Sequence, residues 1–363
     1  MSDSTPTKIR ILAINPGSTS TKIAVFENVQ QVFIKNLKHT AAELSAFHDV
    51  SSQFDFRKAV ILSELERAEI DISTIHGIVG RGGLIKPIES GVYEVNDKLI
   101  RDLRDTALGQ HASDLGGILA REIASVIPGA RAFIADPVVV DEFEDIARIS
   151  GHPLLERTSI FHALNQKAVA RAHARSQGKR YEEMNLIVAH LGGGITVGAH
   201  RRGRVIDVNQ GLDGDGPFSP ERAGTLPAGA LARLCYSGKY TLDEVKKMLT
   251  GKGGYVAYLG TNDAYEVEQR AAAGDAKAAL IQDAMAYQVA KEIGAMSTVL
   301  KGEVDAILLT GGIAYGKPFV DVISERVRHL AEIFVYPGED EMRALAMNGL
   351  RILKGEEEPK EYT

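Results

Sequence analysis

Three short apolar runs along the chain each stop at a glycine turn. They are Ile9–Ile14 before Asn15-Pro16-Gly17, Leu186–Ala189 before His190-Leu191-Gly192-Gly193-Gly194, and Ala306–Leu309 before Thr310-Gly311-Gly312. Apolar runs of this length bounded by glycine predict buried strands. Ile75–Val79 before Gly80 and Ala132–Ala135 before Asp136-Pro137 have the same form. Helical spacing lies between them. Met285, Val289, Ile293, Met296 and Leu300 fall on one apolar stripe of a long helix. Thr241-Leu242-Asp243-Glu244 reads as a capping box opening another. Further helices are predicted over Leu99–Leu108, Leu115–Val126, Ala168–Ala174, Val320–Ala331 and Asp340–Leu353. Strands interleaved with helices make this an α/β chain.

One pattern occurs twice. Arg10–Val32 reads strand, glycine turn, strand, short polar turn, strand. Asn185–Val208 repeats that order, with the triple glycine as the first turn and Arg201–Gly203 as the second. Two such meanders, about 175 residues apart, indicate a duplicated domain.

Composition narrows the class. The 363 residues are 44% hydrophobic and 25% charged, the balance of a globular protein long enough for two domains. A net charge of −6 argues against a nucleic-acid partner, which calls for a basic excess. The single cysteine, Cys235, has apolar neighbours and reads as a packed residue; one cysteine rules out an intrachain disulfide. Met1–Thr7 lacks the charged and apolar regions of a signal peptide, and no apolar run approaches the ~20 residues of a membrane helix. The expectation is a cytoplasmic protein without a membrane partner. Lys354–Thr363, rich in glutamate, reads as a solvated polar tail.

Candidate chemistry sits at the turns. Asn15-Pro16-Gly17-Ser18-Thr19-Ser20-Thr21-Lys22 combines backbone N–H groups, hydroxyls and a cation, which is what phosphate binding requires. It lacks Walker A spacing, and an ordinary hairpin turn would have the same composition. The turns His190–Gly194 and Thr310–Gly316 are weak signals alone. Jointly, three strand-ending glycine turns suit a nucleotide held by two similar domains, and hence phosphoryl transfer. That reaction needs cations and a metal around the transferred group more than covalent chemistry. Arg81 in Gly80-Arg81-Gly82-Gly83 and Arg222 in Ser219-Pro220-Glu221-Arg222-Ala223-Gly224 are candidates, although arginines in glycine loops are often surface residues. His162 opens a helix after Ile160-Phe161; a lone histidine is more often structural than catalytic, and the same holds for His111 and His190. Asp136 follows a strand, where turn aspartates are common. Pro337-Gly338-Glu339-Asp340-Glu341 opens a helix, whose dipole alone would favour acids there. No H-E-x-x-H or Cys/His cluster occurs, so zinc is not expected.

Taken together, the first loop, the Phe161-His162 pair, the turn at His190–Gly194, the loop Glu221-Arg222-Ala223-Gly224 and Thr310-Gly311-Gly312-Ile313 resemble, in order, the acetate/butyrate kinase family. The resemblance spans nearly the whole chain. It implies two duplicated domains of ribonuclease H-like, actin-like ATPase topology with ATP and Mg²⁺ in a cleft between them, and a homodimer or higher homo-oligomer. The expected domains are residues 1–158 and 159–338, with the helix at about 339–353 packing back on the first. The resemblance implies Asp136, His162 and Arg222 as catalytic and Arg81, His111 and Phe161 as substrate-binding. It implies ATP/ADP contacts from Gly17, Ser18, Thr19, Lys22, His190, Gly192, Gly193, Gly194, Asp263, Gly311, Gly312 and Ile313. Asn15 would face the metal with an acid near Pro337, which among Glu339, Asp340 and Glu341 does not align uniquely; anchoring on the proline selects Asp340, with Glu339 and Glu341 as neighbours.

The chain departs from acetate kinases in places. A longer Arg-Val-Val-His-Gly-Gly-like segment is reduced to Arg81-Gly82-Gly83-Leu84, and Tyr265 stands where an arginine is expected two places after Asp263. The Gly-Arg-Gly-Gly-Leu segment and Tyr336-Pro337-Gly338-Glu339 look like the butyrate branch. The implied reaction is reversible phosphorylation of a short-chain carboxylate, butyrate first, with acetate, propionate and isobutyrate as alternatives. A sugar kinase and a nucleotide-switched binding protein are the rivals from other classes.

Overall fold

In the computed structural model, which describes residues 8–105 and 112–363, the apolar runs are strands buried on both faces. The first sheet contains β1 (Arg10–Pro16), β2 (Ser20–Glu27), β3 (Gln30–Lys38), β4 (Gly77–Arg81), β5 (Val92–Glu94) and β6 (Arg131–Ala135) in the order β3-β2-β1-β4-β6-β5. β1, β2 and β3 form an antiparallel meander, and β4 and β6 add in parallel on the free side of β1. The second sheet contains β7 (Asn185–Leu191), β8 (Ile195–Arg201), β9 (Arg204–Val208), β10 (Ala306–Gly311) and β11 (Ile333–Pro337) in the order β11-β10-β7-β8-β9. It repeats the plan, an antiparallel meander with two parallel strands beyond its first strand. The repeat read from the two glycine turns is thus a repeat of topology.

Two compact units carry the sheets: Met1–Val140 with Asp340–Thr363, and Asp141–Glu339. Residues 141–158, expected with the first domain, belong to the second. Glu144 N–H donates to Ile206 O (3.1 Å), Lys167 meets Glu142 (2.8 Å), and Arg157 pairs with Asp207 (2.8 Å) and Asp215 (3.1 Å). In the first unit, helix Glu341–Leu353 lays Gly349 against Ile11 and Val79. In the second, helix Ala276–Val299 buries Met285, Val289, Ile293 and Met296, four members of the predicted stripe. The box at Thr241 is also formed, with Thr241 Oγ1 accepting from Glu244 N–H and Glu244 accepting from Thr241 N–H.

Two further expectations fail. The C-terminal residues are no solvated tail: Lys360 N–H donates to Val92 O (2.7 Å), and Tyr362 is buried with its hydroxyl on Asp102 (2.6 Å). One aromatic ring with a hydrogen-bonding tip outweighs the surrounding glutamates. Cys235 is exposed, because helix Ala228–Cys235 buries none of its residues. Among the described residues no helix is long and apolar enough to cross a membrane.

Candidate functional site

Parallel strands place their following residues side by side, and in open α/β sheets the carboxyl ends of such strands are where ligands bind. In the first unit Ile14 pairs with Gly80 and Arg81 with Ala135, so Asn15, Arg81 and Asp136 stand at neighbouring strand ends. The first helix turn after Asp340 adds Glu341. Its Oε2 accepts from Asn15 Nδ2 at 2.5 Å and from Arg81 Nη1 at 3.2 Å. Asp340 itself caps that helix, accepting from Arg343 N–H at 3.1 Å. Of the adjacent acids, Glu341 is therefore the one gathered with Asn15 and Arg81.

Asp136 is buried and held in the left-handed region at φ 39°, which costs a non-glycine residue on the order of 1–3 kcal/mol. Its Oδ1 accepts from Ser90 Oγ (2.6 Å) and Gly91 N–H (2.9 Å), which holds the carboxylate in one orientation. His111 lies outside the described residues.

The hydroxyl-rich turn between β1 and β2 rests on a residue the sequence reading missed. Arg57, on helix Phe54–Arg67, has no exposed surface. Its Nη1 donates to Gly17 O (2.9 Å), Ser20 O (3.0 Å) and Thr21 Oγ1 (2.9 Å), and its Nη2 donates to Ser18 O (3.2 Å). With the turn's carbonyls drawn down onto the guanidinium, Ser18 and Thr19 stand exposed above it, and Lys22 pairs across the strands with Asn15. The signal was present, since Arg57, Ile61 and Leu65 share one buried helix face, a charged residue at a core position.

In the second unit His190 and Thr310 are register partners at the ends of β7 and β10. The rings of His162 and His190 stack at 3.8 Å and 12°. His190 Nδ1 lies 2.8 Å from Asn165 Oδ1 and its Nε2 lies 3.2 Å from Glu339. His162 Nδ1 meets Thr196 Oγ1 at 2.9 Å. Phe161, next in the chain, is buried, so its ring packs inside the unit.

Arg222 lies against the triple glycine. A Cβ at Gly194 would collide with its guanidinium, so only glycine leaves room for it there. Nη1 donates to Gly211 O, while Nε is buried and makes no hydrogen bond. Burial lowers the pKa of this arginine. A buried N–H donor without an acceptor is costly, of order 1–3 kcal/mol, and suits a site built for an anion.

Gly312 and Ile313 line a cavity of about 360 Å³ with Asp263, Tyr265, Tyr315 and Phe319. Asp263 spends its Oδ1 as a helix cap, accepting from Tyr265 N–H (2.9 Å) and Glu266 N–H (3.3 Å). Aromatic and aliphatic walls with a few polar groups form a surface for a flat heterocycle.

Mg²⁺ takes oxygen ligands and is usually held through one or two carboxylates together with phosphates. Asn15 and Glu341 offer such oxygens, whereas no group of three or more acids, histidines or cysteines able to cage a metal occurs among the described residues. The donors fit a metal shared with a phosphate ligand.

Residues 153–353 match the Acetokinase family. The chain is 56% identical over 355 residues to butyrate kinase 2 of Clostridium acetobutylicum, covering 98% of this chain and 99% of that one. It is 56% identical over 353 residues to butyrate kinase 1 of the same organism, covering 97% and 99%. Among solved structures it resembles Porphyromonas gingivalis acetate kinase, with a TM-score of 0.78 at 18% identity over 95% of this chain and 100% of that one. A propionate kinase from Francisella tularensis gives a TM-score of 0.75 at 19% identity, covering 94% and 98%. At such low identities these two establish the fold alone. The full-length relatives and the matched region together place the sequence: this chain belongs to the acetokinase family.

Proposed function

We propose that the chain is an ATP-dependent carboxylate kinase that converts butyrate and ATP reversibly into butanoyl phosphate and ADP. The observation that carries this reading is the 56% identity to butyrate kinases over nearly the whole length of both chains. The cationic strand ends supply the chemistry.

A carboxyl group has a pKa of about 4 to 5, so the nucleophile is already ionised at neutral pH and needs no general base. One carboxylate oxygen attacks the γ-phosphorus in line. A P–O bond forms to that oxygen, and the bond from phosphorus to the bridging oxygen of the β-phosphate breaks, leaving ADP. The barrier is dominated by the approach of two anions, which fixed positive groups offset. Arg81 orients the carboxylate. Arg222 offers its unpaired Nε–H, and His162 a ring N–H, to the transferring phosphoryl oxygens. Asp136, already gripped by Ser90 and Gly91, is a fixed anion that positions cationic groups.

In this reading the phosphate-binding residues are Gly17, Ser18, Thr19 and Lys22 of the first unit and, in the second, the turn from His190 to Gly194 with Gly311, which packs against Leu191. The cavity at Asp263, Gly312 and Ile313 takes the base. Asn15 and Glu341 would hold Mg²⁺, which neutralises phosphate charge when bound; Asp340 caps its helix instead.

The decisive assay incubates the protein with Mg-ATP and acids from acetate to valerate, including isobutyrate, and traps acyl phosphate with hydroxylamine. Each buried methylene is worth roughly 0.8 kcal/mol, so kcat/KM should rise several-fold per carbon up to butyrate and then fall. A maximum at acetate would overturn the butyrate assignment. No product with any acid would overturn the carboxylate assignment.

On this reading the enzyme works in the cytoplasm as a homodimer or higher homo-oligomer. Exposed Ile146, Ile149, Leu154 and Leu155 offer apolar surface for a second copy to cover. Sedimentation velocity should show at least twice the chain mass, and a monomer at micromolar concentration would contradict it.

A further inference from the structure

His162 can donate to a phosphoryl oxygen as a neutral ring only if its hydrogen sits on Nε2, the nitrogen not facing Thr196. Its Nδ1 lies 2.9 Å from Thr196 Oγ1, and a hydroxyl can give or take a hydrogen bond. The direction is set further back. Gln166 Nε2 donates to the backbone carbonyl of Thr196 at 3.0 Å and to Thr196 Oγ1 at 2.8 Å. A carbonyl oxygen can only accept, so this end of the amide is the NH₂ group and Oε1 points the other way. There Oε1 meets His200 Nε2 at 2.9 Å, and that nitrogen must carry hydrogen. Burial, reinforced by the charges of Lys167 and Arg171, holds His200 well below the usual histidine range. Its ring is therefore neutral, Nδ1 is bare, and Tyr181 donates its hydroxyl hydrogen to it across 2.7 Å.

We infer that Gln166 and His200 are positioning residues that fix the tautomer of His162 through Thr196. The hydrogens run one way: Tyr181 to His200, His200 to Gln166, Gln166 to Thr196, Thr196 to His162. Having received the amide hydrogen, the Thr196 hydroxyl gives its own to His162 Nδ1, and the ring hydrogen is left on Nε2. Gln166, Thr196 and His200 have no exposed surface, so water does not compete for the links among them. Gly198 makes the passage possible, since a Cβ there would stand 2.6 Å from Gln166 Oε1. The stack on His190 holds the plane of the ring while the chain of donors selects its tautomer. A second layer of hydrogen bonds that orients a functional imidazole is a general device, and its loss costs about ten- to a hundredfold. This inference rests on His162 acting as the phosphoryl-facing donor.

The test is ¹⁵N NMR of the full-length protein labelled at histidine, with the His162 signals assigned from a His162→Gln spectrum. The expected result is a protonated Nε2 and a bare Nδ1 at His162. Thr196→Val, nearly isosteric, should release that tautomer and lower kcat about ten- to a hundredfold, leaving both KM values within about twofold. Thr196→Ser should restore the tautomer and most of kcat. A wild-type His162 with hydrogen on Nδ1 overturns the inference whether or not the variants fold. So does a Thr196→Val enzyme with wild-type kcat. Wild-type protein without carboxylate kinase activity would instead sink the assignment of function, and the tautomer would still be judged by the spectrum.

Discussion

Arg222→Ala is expected to lower kcat at least about a thousandfold while moving the folding midpoint by no more than a few degrees. The magnitude follows from what an arginine contributes to a phosphoryl-transfer transition state, about 10³ to 10⁵ in rate. The small effect on stability follows from local geometry. The Arg222 side chain donates to Gly211 O and buries an Nε–H that makes no hydrogen bond. Burial already disfavours its charge, as its lowered pKa reflects. Removing it deletes one favourable contact and one unfavourable donor, and these roughly cancel. Structural residues behave in the opposite way, losing stability and activity together. Arg222→Lys keeps a charge but not the planar fork and should recover only a small part of the rate. Steady-state kinetics with a thermal melt decides the matter; a kcat within tenfold of wild type would remove Arg222 from the transition state.

The second large effect is expected at Arg57. Arg57→Met should cost at least about 3 kcal/mol of folding free energy, read from the denaturant midpoint, because the carbonyls of Gly17 and Ser18 lose their buried donor at about 1–3 kcal/mol each, while Ser20 O and Thr21 Oγ1 lose one partner and keep Gly17 N–H and His39. It should also raise the KM for ATP tenfold or more, since the carbonyls of Gly17, Ser18 and Ser20 would no longer be drawn away from the phosphates. Among the described residues no carboxylate is paired with this guanidinium, and burial alone depresses its pKa. Its positive charge therefore acts on whatever anion the turn accepts. Arg57→Lys separates the two contributions by keeping the charge and losing the fork. If the lysine variant recovers ATP affinity but not stability, charge governs binding; if Arg57→Met leaves both untouched, the turn does not depend on this residue.

What the sequence disclosed followed the physics of each element. β1, β7 and β10 were legible because strands buried on both faces leave unbroken apolar runs, and helix Ala276–Val299 because its buried stripe is regular. Helix Phe54–Arg67 was not, since an arginine interrupts its buried face. β11 was missed although Ile333–Tyr336 is apolar, because this partly covered edge strand ends at Pro337 and not directly at a glycine turn, the mark by which the other strands were read. Within the candidate site, residues in glycine turns could be found from composition. The supporting residues could not. Asn165, Gln166 and Lys167 are three consecutive polar residues that read as a solvated helix turn, yet all three are buried. Their partners lie 25 to 36 positions away in the chain, and no local pattern announces such pairings. The assignment among Glu339, Asp340 and Glu341 was undecidable for a related reason, since adjacent acids differ only in where the helix start directs them.

The shared strand order of the two sheets has a consequence for how such an enzyme can change over generations. What the sheets have in common is the pairing of five strands, to which β5 adds a sixth in the first; the residues just past the strand ends differ, hydroxyls above a guanidinium in one and three glycines beside paired imidazoles in the other. Mutation can therefore rewrite the tips of one half while the other half keeps its inherited chemistry and both keep their scaffold. Lineages built this way can drift from one acid to the next in small heritable steps, because the positions that select a substrate are not the ones that teach the chain to fold.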